Sequence, residues 1–310
     1  MPIVLGVGLS HSPLMYRPRS RWRDISEFLV GDIVQPRSRE EETEERLADY
    51  ERRIGAAFGT LAGLIDAAEL DALILLHADR GDVFDLSNVP QLHVQVGGEI
   101  WGDPAIADLG EEADEVRLAC DDALAEVLVE ELVRAGFDIS EGRGLFRPLG
   151  DAGRGVTPAA AEAGRRLGGR LPVIPLHVNC HVEPVLPGPR LHRFGRALAQ
   201  AAGLTEKRIG LLVSGGLSGD PHGPMAGWVD DVLDRWVLTR LVRGRSGDIA
   251  GIWDARSRTL QGSSAEIRLW TVAGAALEEA GCRARLIDYM PVHHGAAGVG
   301  FIAWEQPSCR

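Results

Sequence analysis

Residues 171–214 read LPVIPLHVNCHVEPVLPGPRLHRFGRALAQAAGLTEKRIGLLVS. Val173–Val178 is a short apolar run, 191–202 repeats apolar residues at helical spacing, and Ile209–Ser214 is apolar again. That is strand, helix, strand. The alternation continues in both directions. Ile3–Leu9 reads as a first strand ending at Ser10-His11, 72–76 as a buried strand, and Leu92–Val96 as an alternating one. Residues 43–66 carry Leu47, Ile54, Phe58, Leu61 and Ile65 on one helical face, which is best read as core. Residues 112–135 read as one long helix, acid-rich at its start and closed by Gly136. Further helices are expected at 157–168, 229–243 and 264–280, and a strand at 285–289. The expected fold class is α/β, a single domain over 1–310. Its central, mostly parallel sheet is flanked by helices, with a pocket at the C-terminal ends of the strands. Segment 16–46, rich in Arg and Glu, is the least regular stretch. It reads as a solvated surface loop, with a lid or a subunit contact as the alternative.

The chain has 310 residues and a net charge of −12. An acidic balance argues against nucleic acid or an anionic membrane as the main partner, although a local arginine can still hold a small anion. The four cysteines, Cys120, Cys180, Cys282 and Cys309, are far apart and form no C-x-x-C. A disulfide framework and a cysteine zinc site are therefore not expected. The N-terminal stretch lacks a basic flank, and no apolar run approaches the roughly 20 residues of a membrane span. A cytoplasmic location is expected. GVGLSHSP and SGGLSGDPHG match neither G-x-G-x-x-G nor a P-loop, which sets nucleotide binding aside.

Histidine is scarce, nine in all, yet most lie just beyond strands. His11 follows the first strand, and His77, Asp79 and Arg80 the second apolar one. His177, Asn179, His181 and Glu183 follow the Val173 strand, and SGGLSGDPHG, with Ser218 and His222, follows the Ile209 strand. A lone histidine is ordinarily structural, but a group at strand ends points to a site. His293-His294 is the weakest pair, since neighbours on an extended segment face opposite ways. Glu266 opens the helix 264–280. It either caps that helix, beside Ser263 or Ser264, or turns to the strand ends to join histidines around a metal.

Taken in order, GVGLSHSPLM (6–15), LILLHADRGDVFDLSNVPQLHV (73–94), LPVIPLHVNCHVEPVLPGPRLHRFGRAL (171–198), SGGLSGDPHGPMAGWVDDVLDR (214–235), GSSAEIRLWTVAGAAL (262–277) and IDYMPVHHGAAGVGFIAWE (287–305) resemble the class III extradiol ring-cleavage dioxygenases. The nearest likeness is to the catalytic subunit of the protocatechuate 4,5-dioxygenase, gallate and 3-O-methylgallate dioxygenase type. The resemblance implies an Fe(II) enzyme that opens a catechol-type ring with dioxygen. It assigns His11 and Glu266 to the iron. Arg190 falls in a P-x-x-R-type segment of the family.

Departures accompany the matches. Arg80 stands at the family's second ligand histidine, and an arginine has no lone pair to give a cation. Gly219 stands at the catalytic histidine, and 140–142 (SEG) replaces a D-H-G segment. Two accounts follow. In one the site is rebuilt: His11, Glu266 and a relocated histidine (His77, or one of His177 and His181) hold Fe(II) or another divalent metal. His222, with His177 and His181, then supplies acid-base chemistry, while Arg80, Asn179 and Ser218 bind a small aromatic substrate. In the other no metal is held. The chain is then an enzyme of changed chemistry (hydrolysis, decarboxylation or isomerisation of an aromatic acid) or a non-catalytic partner subunit. Arg190 and Arg268 are further candidates for a substrate carboxylate. A homo-oligomer or a small partner subunit is also expected from the resemblance.

Overall fold

A computed structural model describes residues 3–143, 156–254 and 260–307. The strands among the described residues are β1 (Ile3–Leu9), β2 (Ala72–His77), β3 (Leu92–Val96), β4 (Glu99–Gly102), β5 (Val116–Ala119), β6 (Ser140–Arg143), β7 (Val173–Val178), β8 (Ile209–Ser214), β9 (Arg283–Val292) and β10 (Ala297–Glu305). Eight of them form one sheet in the order β6-β3-β7-β2-β8-β1-β10-β9, while β4 and β5 pair separately. The central four, β7, β2, β8 and β1, run parallel, and β3 also runs parallel to β6. Antiparallel pairs join β3 to β7, β10 to β1 and β9 to β10. β2, β7 and β8 are buried along their whole length, as parallel strands covered on both faces must be. The expected α/β class holds, and the strand pairing shows why: only buried crossovers return a strand to the same end of the sheet.

The helices are α1 (Trp22–Val30), α2 (Arg37–Glu40), α3 (Glu44–Ala67), α4 (Asp122–Arg134), α5 (Pro158–Ala163), α6 (Gly188–Ala202), α7 (Asp231–Val242), α8 (Ser246–Ala250) and α9 (Ile267–Glu279). Thr43 caps α3 by accepting from the Arg46 backbone, and α3 buries Leu47, Ile54, Phe58, Leu61 and Ile65, as its spacing predicts. On the other face α9 is buried over most of its length. It lies against α6 so closely that a Cβ on Gly195 would stand 2.2 Å from the carbonyl oxygen of Val272. A backbone atom has nowhere to move. Gly195→Ala is therefore expected to lower the unfolding free energy by about 2 kcal/mol, read as a lower urea midpoint.

Two readings of the sequence are corrected. Residues 112–135 are not one helix: β5 and Cys120 come first, and α4 begins only after Asp121, whose carboxylate accepts from the Leu124 backbone. The acidic residues at 111–115 therefore belong to a loop, where Glu111 holds Arg17. Segment 16–46 is not a solvated loop. It contains α1, which buries Trp22, Ile25, Leu29 and Val30. β10, an apolar run to which the sequence reading assigns no element, is a buried strand formed by hairpin return from β9. Cys120, Cys180 and Cys282 are free thiols, and Cys309 lies outside the described residues. No helix among the described residues is long and apolar enough to cross a membrane.

Candidate active site

The C-terminal ends of β1, β2 and β8 open into a cleft of about 410 Å³ whose lining includes His11, Arg80, Glu266 and His222. A cavity of about 490 Å³ lies on the other side of Arg17 and holds none of the predicted site residues. The chemistry gathers in the first.

Each polar group is placed by its local chain. β1 ends at Leu9, and Pro13 starts a turn of 3-10 helix, so His11 sits on the short link between them. Its Nδ1 is shut from solvent with no hydrogen-bond partner among the described residues. Burial lowers the His11 pKa to about 4, Glu266 pulls it upward, and Arg80 and Arg17 push it down further. The imidazole is neutral at pH 7.

Arg80 projects from a loop built by one carboxylate. Asp79 accepts the backbone N–H groups of Gly81, Asp82, Val83 and Phe84 at 3.0–3.2 Å. That cage sets the direction in which the Arg80 side chain leaves. Arg80 Nε donates to Glu266 Oε1 at 3.0 Å, and a terminal nitrogen donates to Ser263 Oγ at 2.8 Å.

Glu266 is buried. Its Oε1 also accepts from His181 Nε2 at 2.9 Å, and its Oε2 accepts from the Gly216 backbone at 2.6 Å. Burial alone would raise the carboxyl pKa. Arg80, the His181 hydrogen bond and the Gly216 N–H outweigh it and hold Glu266 well below the usual range. It is a carboxylate, so His181 carries its proton on Nε2. Of the two readings of Glu266, the capping one does not hold. Glu266 is the residue before α9 but makes no side-chain capping bond, and neither serine caps the helix.

The other candidate residues lie elsewhere or are engaged by neighbours. His77, His177 and His93 stand side by side across β2, β7 and β3 in register. Phe84 packs against His177 and His93. His77 and His177 are buried, do not line the cleft, and are kept neutral: burial lowers the pKa of His77 to about 4 and that of His177 well below its ordinary value. Asn179 uses its whole amide on the adjacent turn, accepting from His181 and Val182 and donating to the Val182 carbonyl. It positions His181 and does not line the cleft. Ser218 is turned away onto Asp234, which also takes the Tyr289 hydroxyl. Arg190 stacks on Phe137 beside Asp138, and Arg268 lies over Trp253. His293 and His294 hold Glu42 through their backbone N–H groups.

Position 219 has a reason to be glycine. Its φ is +158°, and a Cβ there would lie 2.4 Å from the carbonyl of Ala296. His222, three residues on, is at the mouth, its ring edge-on to Phe28 at 4.6 Å. Sequence reading missed Asp79 as the loop's organiser, Ser263 as a partner of Arg80, and Arg17. Arg17 lies in the cleft wall and is already held by Glu111 and Glu162. The spacing D-x-G-D-V-F after a strand was the available signal for the first.

The comparisons with known proteins bear on this geometry. Residues 158–300 match the family described as the catalytic LigB subunit of aromatic ring-opening dioxygenase. That span is similar to the catalytic subunit of such enzymes over a little under half of the chain. The matched span contains β7, β8, the Ser218 loop and α9 with Glu266; His11 and Arg80 reach it from outside that span. Three relatives are named as 2,3-dihydroxyphenylpropionate/2,3-dihydroxicinnamic acid 1,2-dioxygenases. That of Azotobacter vinelandii is 24% identical over 84% of this chain and 93% of its own. That of Klebsiella pneumoniae is 24% identical over 89% and 95%. That of Paraburkholderia phymatum is 28% identical over 65% and 58%. An uncharacterized protein from Escherichia coli K12 shares the fold at a TM-score of 0.51 and 14% identity, covering 97% of this chain and 99% of its own. The expected family likeness to extradiol dioxygenases is thus found, with relatives of the dihydroxyphenylpropionate kind.

A facial iron site takes two imidazoles and one carboxylate. The cleft offers His11 and Glu266, with a guanidinium at the third place and both Glu266 oxygens in use. Among the described residues, no group of three or more His, Cys, Asp or Glu side chains is placed to hold a metal. The donor set does not fit the ion.

Proposed function

We propose that this protein takes a catechol-type aromatic acid into the His11–Arg80–Glu266 cleft and opens its ring as a dioxygenase of the extradiol kind. One observation carries the reading. Glu266, within the span that matches the ring-opening dioxygenase family, lines the same cleft as His11, from the far end of the chain. The relatives reported above are all named as dioxygenases, which favours ring opening over oxygen-independent conversions and over a partner-subunit role.

The lining suits the substrate class. Phe28, Leu29, Ile106 and Pro158 give an apolar slot for a ring, and Arg80 gives a cation for an anionic oxygen. Neutral His11 is suited to accept a hydrogen bond from a ring hydroxyl. His222, at the mouth, is the imidazole placed to take a proton from the bound ring. Asn179 and His181 act through Glu266, as positioning residues. Fe(II) is the cofactor the family implies, and it is with this chain's donor set that the implication disagrees.

The test is oxygen uptake with 2,3-dihydroxyphenylpropionate and a panel of catechols, run on protein loaded anaerobically with Fe(II) and on chelator-treated protein. Uptake with loss of the aromatic absorbance in at least one of the two states is expected, falling at least ~100-fold in Glu266→Ala. Absence of uptake with every catechol in both states would reject ring opening.

A further inference from the structure

Arg80 and Glu266 form a built unit. The Asp79 cage aims the arginine, Ser263 and Glu266 hold its guanidinium, and His181 and the Gly216 N–H hold the carboxylate from its other sides. The exposures decide which member meets a ligand. The Arg80 side chain is 36% exposed and that of Glu266 is 9%. Both line the cleft, and the cation presents more of itself to it than its counter-ion does.

A divalent ion placed between His11 and Glu266 would meet three obstacles. The guanidinium repels it and cannot ligate it. Glu266 Oε1 already has two donors and Oε2 a third. His11 adds one imidazole nitrogen from the family's ligand positions, which with an occupied carboxylate does not complete a facial set. Displacing Arg80 would also release Ser263 and leave a buried carboxylate short of its partner.

We propose that Arg80 is the resident cation of this cleft: it occupies the place of a metal in binding, and the aromatic acid is held by an anionic oxygen on the guanidinium without any divalent ion. The inference rests on the aromatic-acid reading of the cleft. A planar, permanently charged fork suits a carboxylate or an ionised ring hydroxyl, and Glu266 keeps it fixed before the ligand arrives.

The experiment uses the full chain. Wild type is treated with chelator, desalted, and titrated calorimetrically with 2,3-dihydroxyphenylpropionate and with 3-ethylcatechol, which lacks the carboxylate, with and without Fe(II) under nitrogen. Metal per chain is counted after anaerobic loading. Binding of the acid by chelated wild type, with an affinity unchanged within about twofold by Fe(II), is expected, together with far less than one ion per chain. Arg80→Gln is expected to weaken the acid by about tenfold or more while its circular dichroism spectrum stays that of the wild type. Weaker binding of 3-ethylcatechol assigns the contact to the carboxylate, and equal binding assigns it to a ring oxygen; both keep Arg80 as the anchor. Arg80→His removes the repelling charge and adds a neutral donor. It is expected to gain close to one ion per chain, lost again when His11→Ala is added. About one Fe(II) per wild-type chain, or binding of the acid only with Fe(II), overturns the inference and leaves the aromatic-acid reading standing. No binding of either catechol in either state overturns both.

Discussion

Replacing Glu266 by alanine is expected to cost about 3 kcal/mol of folding stability, besides the loss of activity. The carboxylate is buried and receives Arg80, His181 and the Gly216 backbone. Removing it leaves the Gly216 N–H without its acceptor in a buried place, strips His181 of its partner, and opens a small cavity. Arg80 is partly exposed and rehydrates, so its share of the attraction is screened, and the low end of the range for broken buried pairs applies. Glu266→Gln keeps the shape and one acceptor oxygen, and its loss is expected to be about half as large. Urea unfolding followed by tryptophan fluorescence measures both. A loss under ~1 kcal/mol for the alanine variant would mean that the network is not a stabilising unit. The pH dependence has a definite sign. The folded carboxyl is depressed below its ordinary 4.5, so its contribution is present in full above that value. It declines as pH falls through the depressed folded pKa. The gap between wild type and Glu266→Ala is therefore expected to close in acid and not at neutral pH.

Acidification itself is the second large effect. Burial lowers the pKa of His11 and of His77 from 6.5 to about 4. Burial also lowers that of His177, with His77 and His93 adding to it. A histidine whose folded pKa is depressed favours the folded state above the unfolded pKa. Between pH 6.5 and 4 the unfolded chain takes up protons that the folded chain refuses, so stability falls as pH falls. A shift of this size corresponds to about 3 kcal/mol for each of His11 and His77, an order-of-magnitude figure. The urea midpoint is accordingly expected to drop steeply from about pH 7 to about pH 5, a window in which ordinary carboxylates do not titrate. His77→Leu, of similar bulk and without a titrating group, is expected to flatten that slope. An identical slope in wild type and His77→Leu would show that the buried row is not the source.

The same row shows why the site was only partly legible in the sequence. His77 and His177 lie at strand ends, as ligands often do, and the sequence places them correctly along the chain. Whether a strand-end side chain faces the cleft or the core depends on register and on what covers it. β2 and β7 pair His77 with His177, and Phe84, from the Asp79 loop, packs against His177. Neither fact is local. Asn179 and Ser218 are similar: both are polar and near the strand ends, and both are consumed by neighbours, Val182 in one case and Asp234 in the other. The long helix expected at 112–135 failed for a different reason. Acidic residues before an apolar stretch suit a helix start, but here they suit a loop that neutralises Arg17, and the true cap is Asp121.

What the sequence determined by itself is whatever depends on residues near one another along the chain. Largely apolar runs became the central parallel strands, since only a strand covered on both faces tolerates that pattern. The ordered motifs carried the kinship to ring-opening dioxygenases, and His11, Arg80, Glu266 and His222 stand out from their places in those motifs alone. Tertiary structure decided what those four do to one another. An arginine at a would-be ligand position reads equally as a substrate anchor or as a lost site. Only the fold brings its Nε to 3.0 Å from Glu266, with Gly216 and His181 completing the carboxylate's bonds. Electrostatic interaction depends on distance and burial in space, and neither is written in the order of the residues.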